Sequence, residues 1–126
     1  MNNVFILLLM IFLHILDDYG MQGILASMKQ KEWWKKNAPQ TLYKYDYIWA
    51  LIMHSFSWSF MIMLPFAIQN RFSVNGMFVG MLCFNLICHA VVDHMKANSG
   101  IINLWVDQIC HMLQIFGTLI VMTYTG

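Results

Sequence analysis

The chain has 126 residues, of which 60% are hydrophobic and only 10% charged, with a mean hydropathy of +0.58 and a formal net charge of +1. Soluble domains are about 25% charged, and a chain of this length hides only about two thirds of its surface, so a bilayer rather than water is the expected solvent. The near-zero charge gives a nucleic-acid partner no electrostatic support.

A spanning helix needs about 20 mostly apolar residues, and four windows qualify. The first, about 4–26, has no basic N-terminal region and no small-residue cleavage site, and it ends in acids. It is expected to be a retained helix rather than a signal. The connection that follows holds Lys29, Lys31, Lys35, Lys36 and Lys44 and is broken by Pro39. Trp33, Trp34, Tyr43, Tyr45, Tyr47 and Trp49 are expected to form an interfacial aromatic belt there. The second window, about 47–68, carries Pro65 close enough to its end to be tolerated. Arg71 is the basic residue of the next connection, and Lys96 belongs to the one after it. The remaining windows are about 76–96 and 102–124.

The expected fold is therefore all-α: a single integral membrane domain over 1–126, built as an antiparallel bundle of four transmembrane helices. Lysine and arginine favour loops one and three, which places those loops in the cytoplasm and both termini outside. Cys83, Cys88 and Cys110 are odd in number and lie in apolar segments. They are expected to be small buried hydrophobes, not a disulfide framework. Gly76, Gly80 and Ala90 leave room for a homodimer.

Each helix carries polar residues that share a face, because positions three or four apart are neighbours. The sets are His14, Asp18 and Gln22; His54; Asn85, His89 and Asp93; and Asp107, His111 and Gln114. Counted at about 1.5 Å per residue, His54, His89 and His111 lie roughly 10–14 Å below one surface. Asp18 falls at a similar level, Asp93 and Asp107 nearer the surface, and His14 deeper. A charged residue at the bilayer centre costs about 2.5–3.5 kcal/mol on insertion scales, so something must compensate. Water, His–Asp hydrogen bonds and a metal ion are the candidates, and the shared depth favours the metal.

The expected ligands are His14, Asp18, His54, His89, Asp93, Asp107 and His111. Imidazole and carboxylate suit zinc first, with manganese or iron as alternatives. Seven groups exceed one tetrahedral shell. Either two ions share a bridging carboxylate, or some of the seven orient the others. Gln22, Asn85, Ser57 and Gln114 are available to support the imidazoles. Asp17 either joins the site or faces a neighbouring helix, and His94 points elsewhere.

The ordered elements HILDDYGMQ (from His14), HSFSW (from His54), HAVVDHMK (from His89) and DQICH (from Asp107) resemble a small membrane-protein family of bacteria and phages called domain of unknown function 3307. The polar pattern is also similar to that of YdjM-like inner-membrane proteins, labelled metal-dependent hydrolases. The resemblance implies a metal site on the same seven residues, supported by Gln22, Lys96 and Gln108, in a bacterial inner membrane. Asp17 departs from the family pattern, which has a small or apolar residue there.

The leading functional expectation is a metal-dependent hydrolase at the cytoplasmic leaflet, acting on a phosphoester or amide of a lipid or small metabolite. Asp93 or Asp107 would be the general base, and Lys96, with Lys29 and Lys31, would attract a phosphate. The alternatives are a metal-stapled protein that binds a host membrane partner, and a cation or proton transporter.

Overall fold

The computed structural model describes residues 1–125. Four long helices dominate it. Helix α1, Asn3–Ile15, runs on as a π-helical turn, Leu16–Met21. Loop one then carries the short helices α2, Leu25–Met28, and α3, Lys31–Asn37, and a 3₁₀ turn, Thr41–Tyr43. Helices α4 (Asp46–Gln69), α5 (Gly76–Ala97) and α6 (Leu104–Tyr124) complete the chain. All four long elements have the length and apolar composition to cross a membrane. No strand occurs among the described residues.

Three of the helices start on an asparagine cap, which satisfies an end amide that lipid could not. Asn2 accepts from the Val4 amide at 2.7 Å, Asn75 from Phe78 at 2.9 Å and Asn103 from Val106 at 3.0 Å. The first span stops at Met21, short of the expected residue 26. Gly23 adopts φ 54°, a left-handed conformation that ends the helix and turns the chain into loop one.

The helices close into a ring in which α1 meets α4 and α6, and α5 meets α4 and α6. Helix α4 is the most enclosed member: 56% of its spanning window is buried, against 22% for α5 and α6. Ile6, Met10, Trp58, Ile62, Met63, Phe66, Phe78, Ile115 and Met122 form the apolar core. By position along each helix, that core fills the half of the bundle nearer the termini and loop two. The half nearer loops one and three is different. There the interior holds His14, Asp17, Asp18, His54, His89, Asp93, Asp107 and His111, all buried. Large apolar side chains such as Leu8, Phe12, Phe84, Ile87 and Leu113 point outward instead. That inversion suits a lipid surround.

Two expectations shift. Tyr47 is buried rather than part of an exposed belt, and it lies under the Lys31 ammonium and against His94. Cys83 is exposed and Cys88 and Cys110 are half-buried, all three free. They face the bundle's apolar exterior because lipid solvates a thiol as readily as a core does.

Because lipid tails are as apolar as the core, packing rather than water exclusion rewards burial here. Ile62→Ala is expected to cost about 2 kcal/mol, the lower end of the range for such truncations. Leu113→Ala, on the outer face, should cost little. Unfolding titrations in mixed micelles read the difference.

Candidate metal centre

The π-helical turn places two adjacent acids inside. A π turn is wider than an α turn, so successive side chains diverge less around the axis. Asp17 and Asp18 are accordingly both buried. Asp17 turns to α4, where the Ser57 hydroxyl donates to its Oδ1 at 2.5 Å. Asp18 turns to the bundle axis.

A directed chain of hydrogen bonds orients the centre. Trp58 Nε1–H donates to His14 Nδ1 at 2.7 Å. The His14 proton must therefore sit on Nε2, which lies 2.9 Å from Gln108 Oε1 and donates to it. With its oxygen taken, Gln108 uses its amide nitrogen to donate to Asp18 Oδ2 at 3.0 Å and to Asp107 Oδ2 at 2.9 Å. One glutamine thus grips two carboxylates. Their Oδ1 atoms are left free to face the imidazoles.

His111 is fixed from the other side. Asn85 accepts the Gln114 amide at its side-chain oxygen and at its backbone carbonyl, both at 3.2 Å. Gln114 Oε1 therefore faces His111 Nδ1 as an acceptor, at 3.3 Å. The His111 proton sits on Nδ1, and Nε2 presents a bare lone pair. That lone pair lies 3.3 Å from Asp107 Oδ1. Neither atom has a hydrogen-bond partner, and both are buried. Two buried lone-pair atoms face each other, an arrangement that a shared proton or a bound cation between them satisfies.

The other imidazoles converge nearby. His54 Nε2 lies 3.1 Å from His89 Nε2, 3.5 Å from Asp18 Oδ1 and 3.5 Å from Asp93 Oδ2. The His89 ring packs against both the Trp58 ring at 4.3 Å and the His111 ring at 4.2 Å, which are themselves 5.1 Å apart. Asp18, His54 and His89 form one group able to hold a metal, and Asp18, Asp107 and His111 form a second. Ligands around a tetrahedral zinc at about 2.0–2.1 Å stand roughly 3.3–3.4 Å apart, close to the separations seen here. The donor set fits such an ion.

Charge points the same way. Asp17, Asp18, Asp93 and Asp107 supply four buried carboxylates, against the ammonium groups of Lys29 and Lys96. Were all four ionised, two negative charges would remain, which the donors of the layer and a bound cation could offset.

Most of the expected site residues meet in this layer, with some changes of part. His14 is in the layer, yet Trp58 and Gln108 occupy both its nitrogens, so it orients rather than ligates. Asp93 touches His54 but is held by Lys29 Nζ at 2.8 Å, outside both groups. Asn85 reaches the imidazoles only through Gln114, and its amide is otherwise spent on Thr118 at 2.8 Å. Gln22 donates to the Asp18 carbonyl and accepts from Lys29. Lys96 lies 3.3 Å from Asp107 Oδ2 with its side chain part exposed. His94 stays outside, packed on Tyr47.

Lys29 and Trp58 had no such role in the sequence reading. Lys29 is not a surface lysine: it is buried, and Asn98 pins it there by donating to its carbonyl and accepting from the Lys31 amide. Loop one is thereby folded over the polar layer.

Compared with protein-family models, curated proteins and solved structures, the chain matches none.

Outer partners of ligand histidines set their orientation, and losing one typically costs 10–100-fold in metal affinity. Trp58→Phe keeps the ring against His89 but removes the donor to His14, so zinc affinity measured by competition with a chelating dye should fall by about that factor. Lys29→Met leaves Asp93 buried and unpaired, a loss of about 3–5 kcal/mol. Adding Asp93→Asn should restore most of it, and thermal unfolding of both variants in detergent measures the coupling.

Proposed function

We propose that the chain is a membrane-embedded, metal-dependent hydrolase working at the cytoplasmic leaflet of a bacterial inner membrane. The observation that carries this reading is the buried convergence of Asp18, His54 and His89, with the unpartnered His111 Nε2 and Asp107 Oδ1 beside them. The family resemblance of the four His/Asp elements supports it, and the lysines of loops one and three support the orientation.

Asp18, His54 and His89 would hold a divalent ion, zinc foremost and manganese or iron next. A bound ion supplies Lewis-acid polarisation of the scissile group and acidifies water. The remaining groups have separate tasks. Asp107 is gripped at Oδ2 by Gln108 and Lys96, which leaves Oδ1 to accept the proton of an attacking water. His111, beside it, shares that proton. Lys96 is the layer's half-exposed cation and faces an anionic group of the substrate. Asp93, the other candidate base, is tied to Lys29 and serves as its counter-ion instead. The apolar core beyond Trp58 offers no continuous polar path to the opposite face, which argues against transport.

Elemental analysis of protein purified without added chelator should find about one divalent ion per chain, lost in His54→Ala. Incubation with lipid phosphoesters and lipid amides should give turnover that disappears on metal stripping and in Asp107→Asn. Turnover that survives both treatments overturns the reading.

A further inference from the structure

Loop one folds back on itself. Helix α3 ends at Asn37 because Pro39 cannot continue it, and the chain returns through the 3₁₀ turn Thr41–Tyr43. Trp34 fixes the fold-back: its Nε1–H donates to the Met28 carbonyl at 2.6 Å, and its ring stacks on Tyr43 with centroids 6.4 Å apart. Between α3, the turn and the start of α4 lies a pocket of about 480 Å³, room enough for a small ligand. Its charged lining is Lys31, Lys35 and Lys44, and among the described residues no acid lines it.

Two of those lysines are uncommitted. Among the described residues, the lysine ion pairs take Lys29, Lys35 and Lys96, which leaves Lys31 and Lys44 without a carboxylate. Lys35 meets Glu32 at 2.8 Å, but both side chains are largely exposed and such a pair is weak. Lys31 Nζ sits 5.1 Å from the centre of the Tyr47 ring and Lys44 Nζ 5.4 Å from that of Tyr45, and both rings line the pocket. A ring face holds an ammonium in place yet leaves its outward hydrogens to be donated. Asp46, two residues beyond Lys44, lines a separate cavity with Leu25 and Trp49. The sequence reading groups Lys31 with Lys29; the structure parts them, with Lys29 turned inward to Asp93 and Lys31 to this pocket.

We propose that the pocket binds the phosphate of an anionic phospholipid headgroup, in the leaflet that loop one borders. Lysine ammoniums are standard partners for phosphate, and two with no other counter-charge call for an anion. Position selects the lipid. The spanning element runs from Thr41 to Gln69, so the 3₁₀ turn and Tyr45 stand at the membrane boundary. Leu42, Tyr45 and Trp49 are 80%, 65% and 67% exposed there, the kind of side chain that a headgroup boundary takes up. A zwitterionic headgroup brings its own ammonium into competition with Lys31 and Lys44, so the anionic one is preferred. No residue of the pocket belongs to the His/Asp layer, and the proposal does not rest on the hydrolase reading.

Lys36 supplies the control, because it is an exposed lysine of the same helix that does not line the pocket. The full chain is placed in nanodiscs of phosphatidylcholine, with or without a minor fraction of phosphatidylglycerol, and its amines are acetylated briefly and mapped by mass spectrometry. Phosphatidylglycerol should slow acetylation of Lys31 and Lys44 several-fold and leave Lys36 unchanged. Lys44→Gln should lower the phosphatidylglycerol retained through detergent, read by native mass spectrometry, about fivefold, the usual worth of one lysine at an anionic surface. Lys36→Gln, which removes the same charge, should retain as much as the parent. Equal protection of all three lysines, or equal loss in the two variants, means a diffuse basic surface and overturns the proposal. So does protection by phosphatidylcholine alone, which would show that headgroup charge is not read. Inorganic phosphate protecting as well as the lipid at matched concentration would assign the pocket to a soluble anion, and protection that follows protein concentration would assign it to a second copy of the chain; either result also overturns it. Neither measurement involves turnover or a metal ion, so failure here leaves the hydrolase reading untouched.

Discussion

A carboxylate inside a bilayer must be met by positive charge or by donated hydrogens, and the interior of this bundle is arranged around that demand. Gln108 meets it for two acids at once, and Lys29 and Lys96 meet it for two more contacts. Among the buried atoms left without a partner are one lone pair on His111 and one oxygen on Asp107, set against each other. The rest of the architecture follows from keeping those atoms in place. Trp58 fixes the His14 tautomer, His14 fixes Gln108, and Gln108 fixes both acids. On the opposite side Asn85 fixes Gln114, and Gln114 fixes His111. Two independent hydrogen-bond chains, one donating toward the acids and one accepting from His111, thus meet at the same gap.

This division of labour separates stability from chemistry along the bundle axis. The half built of Ile6, Met10, Ile62, Met63, Phe66, Ile115 and Met122 contains no titratable group and packs as a plain apolar core. It holds the helices at fixed spacing, so the polar half does not need to stabilise the fold by itself. Trp58 joins the halves. Its ring packs into the core and against His89, while its indole N–H begins the hydrogen-bond chain.

Much of this was legible in the sequence because two simple rules apply. Hydropathy over about 20 residues locates spans, and a four-residue spacing locates a face. Those rules place His54, His89, His111 and Asp18 at one depth, with Asp93 and Asp107 nearer the surface and His14 deeper, and all seven lie buried in the polar layer. They fail where the backbone leaves the ideal α geometry. The π-helical turn rotates Asp17 inward beside Asp18, and no hydropathy window registers such a turn. They fail also for Lys29, which a charge-run reading assigns to a solvated loop. Its burial depends on Asn98, 69 residues away in sequence, pinning the backbone on either side of it. The part played by His14 was hidden for a related reason: whether an imidazole ligates or orients depends on what its second nitrogen touches, and Trp58 and Gln108 are distant partners.

The position of Gln108 on the last helix has a bearing on biosynthesis. Helices α1 and α4 emerge from the ribosome first, carrying Asp17, Asp18 and His54, while the amide that steadies Asp18 is still untranslated. Asp18 lies near the loop-one end of its span, where water can solvate it during that interval. Membrane insertion and completion of the interior are therefore separate events, and the polar layer gains its last carboxylate clamp only once α6 packs against α1.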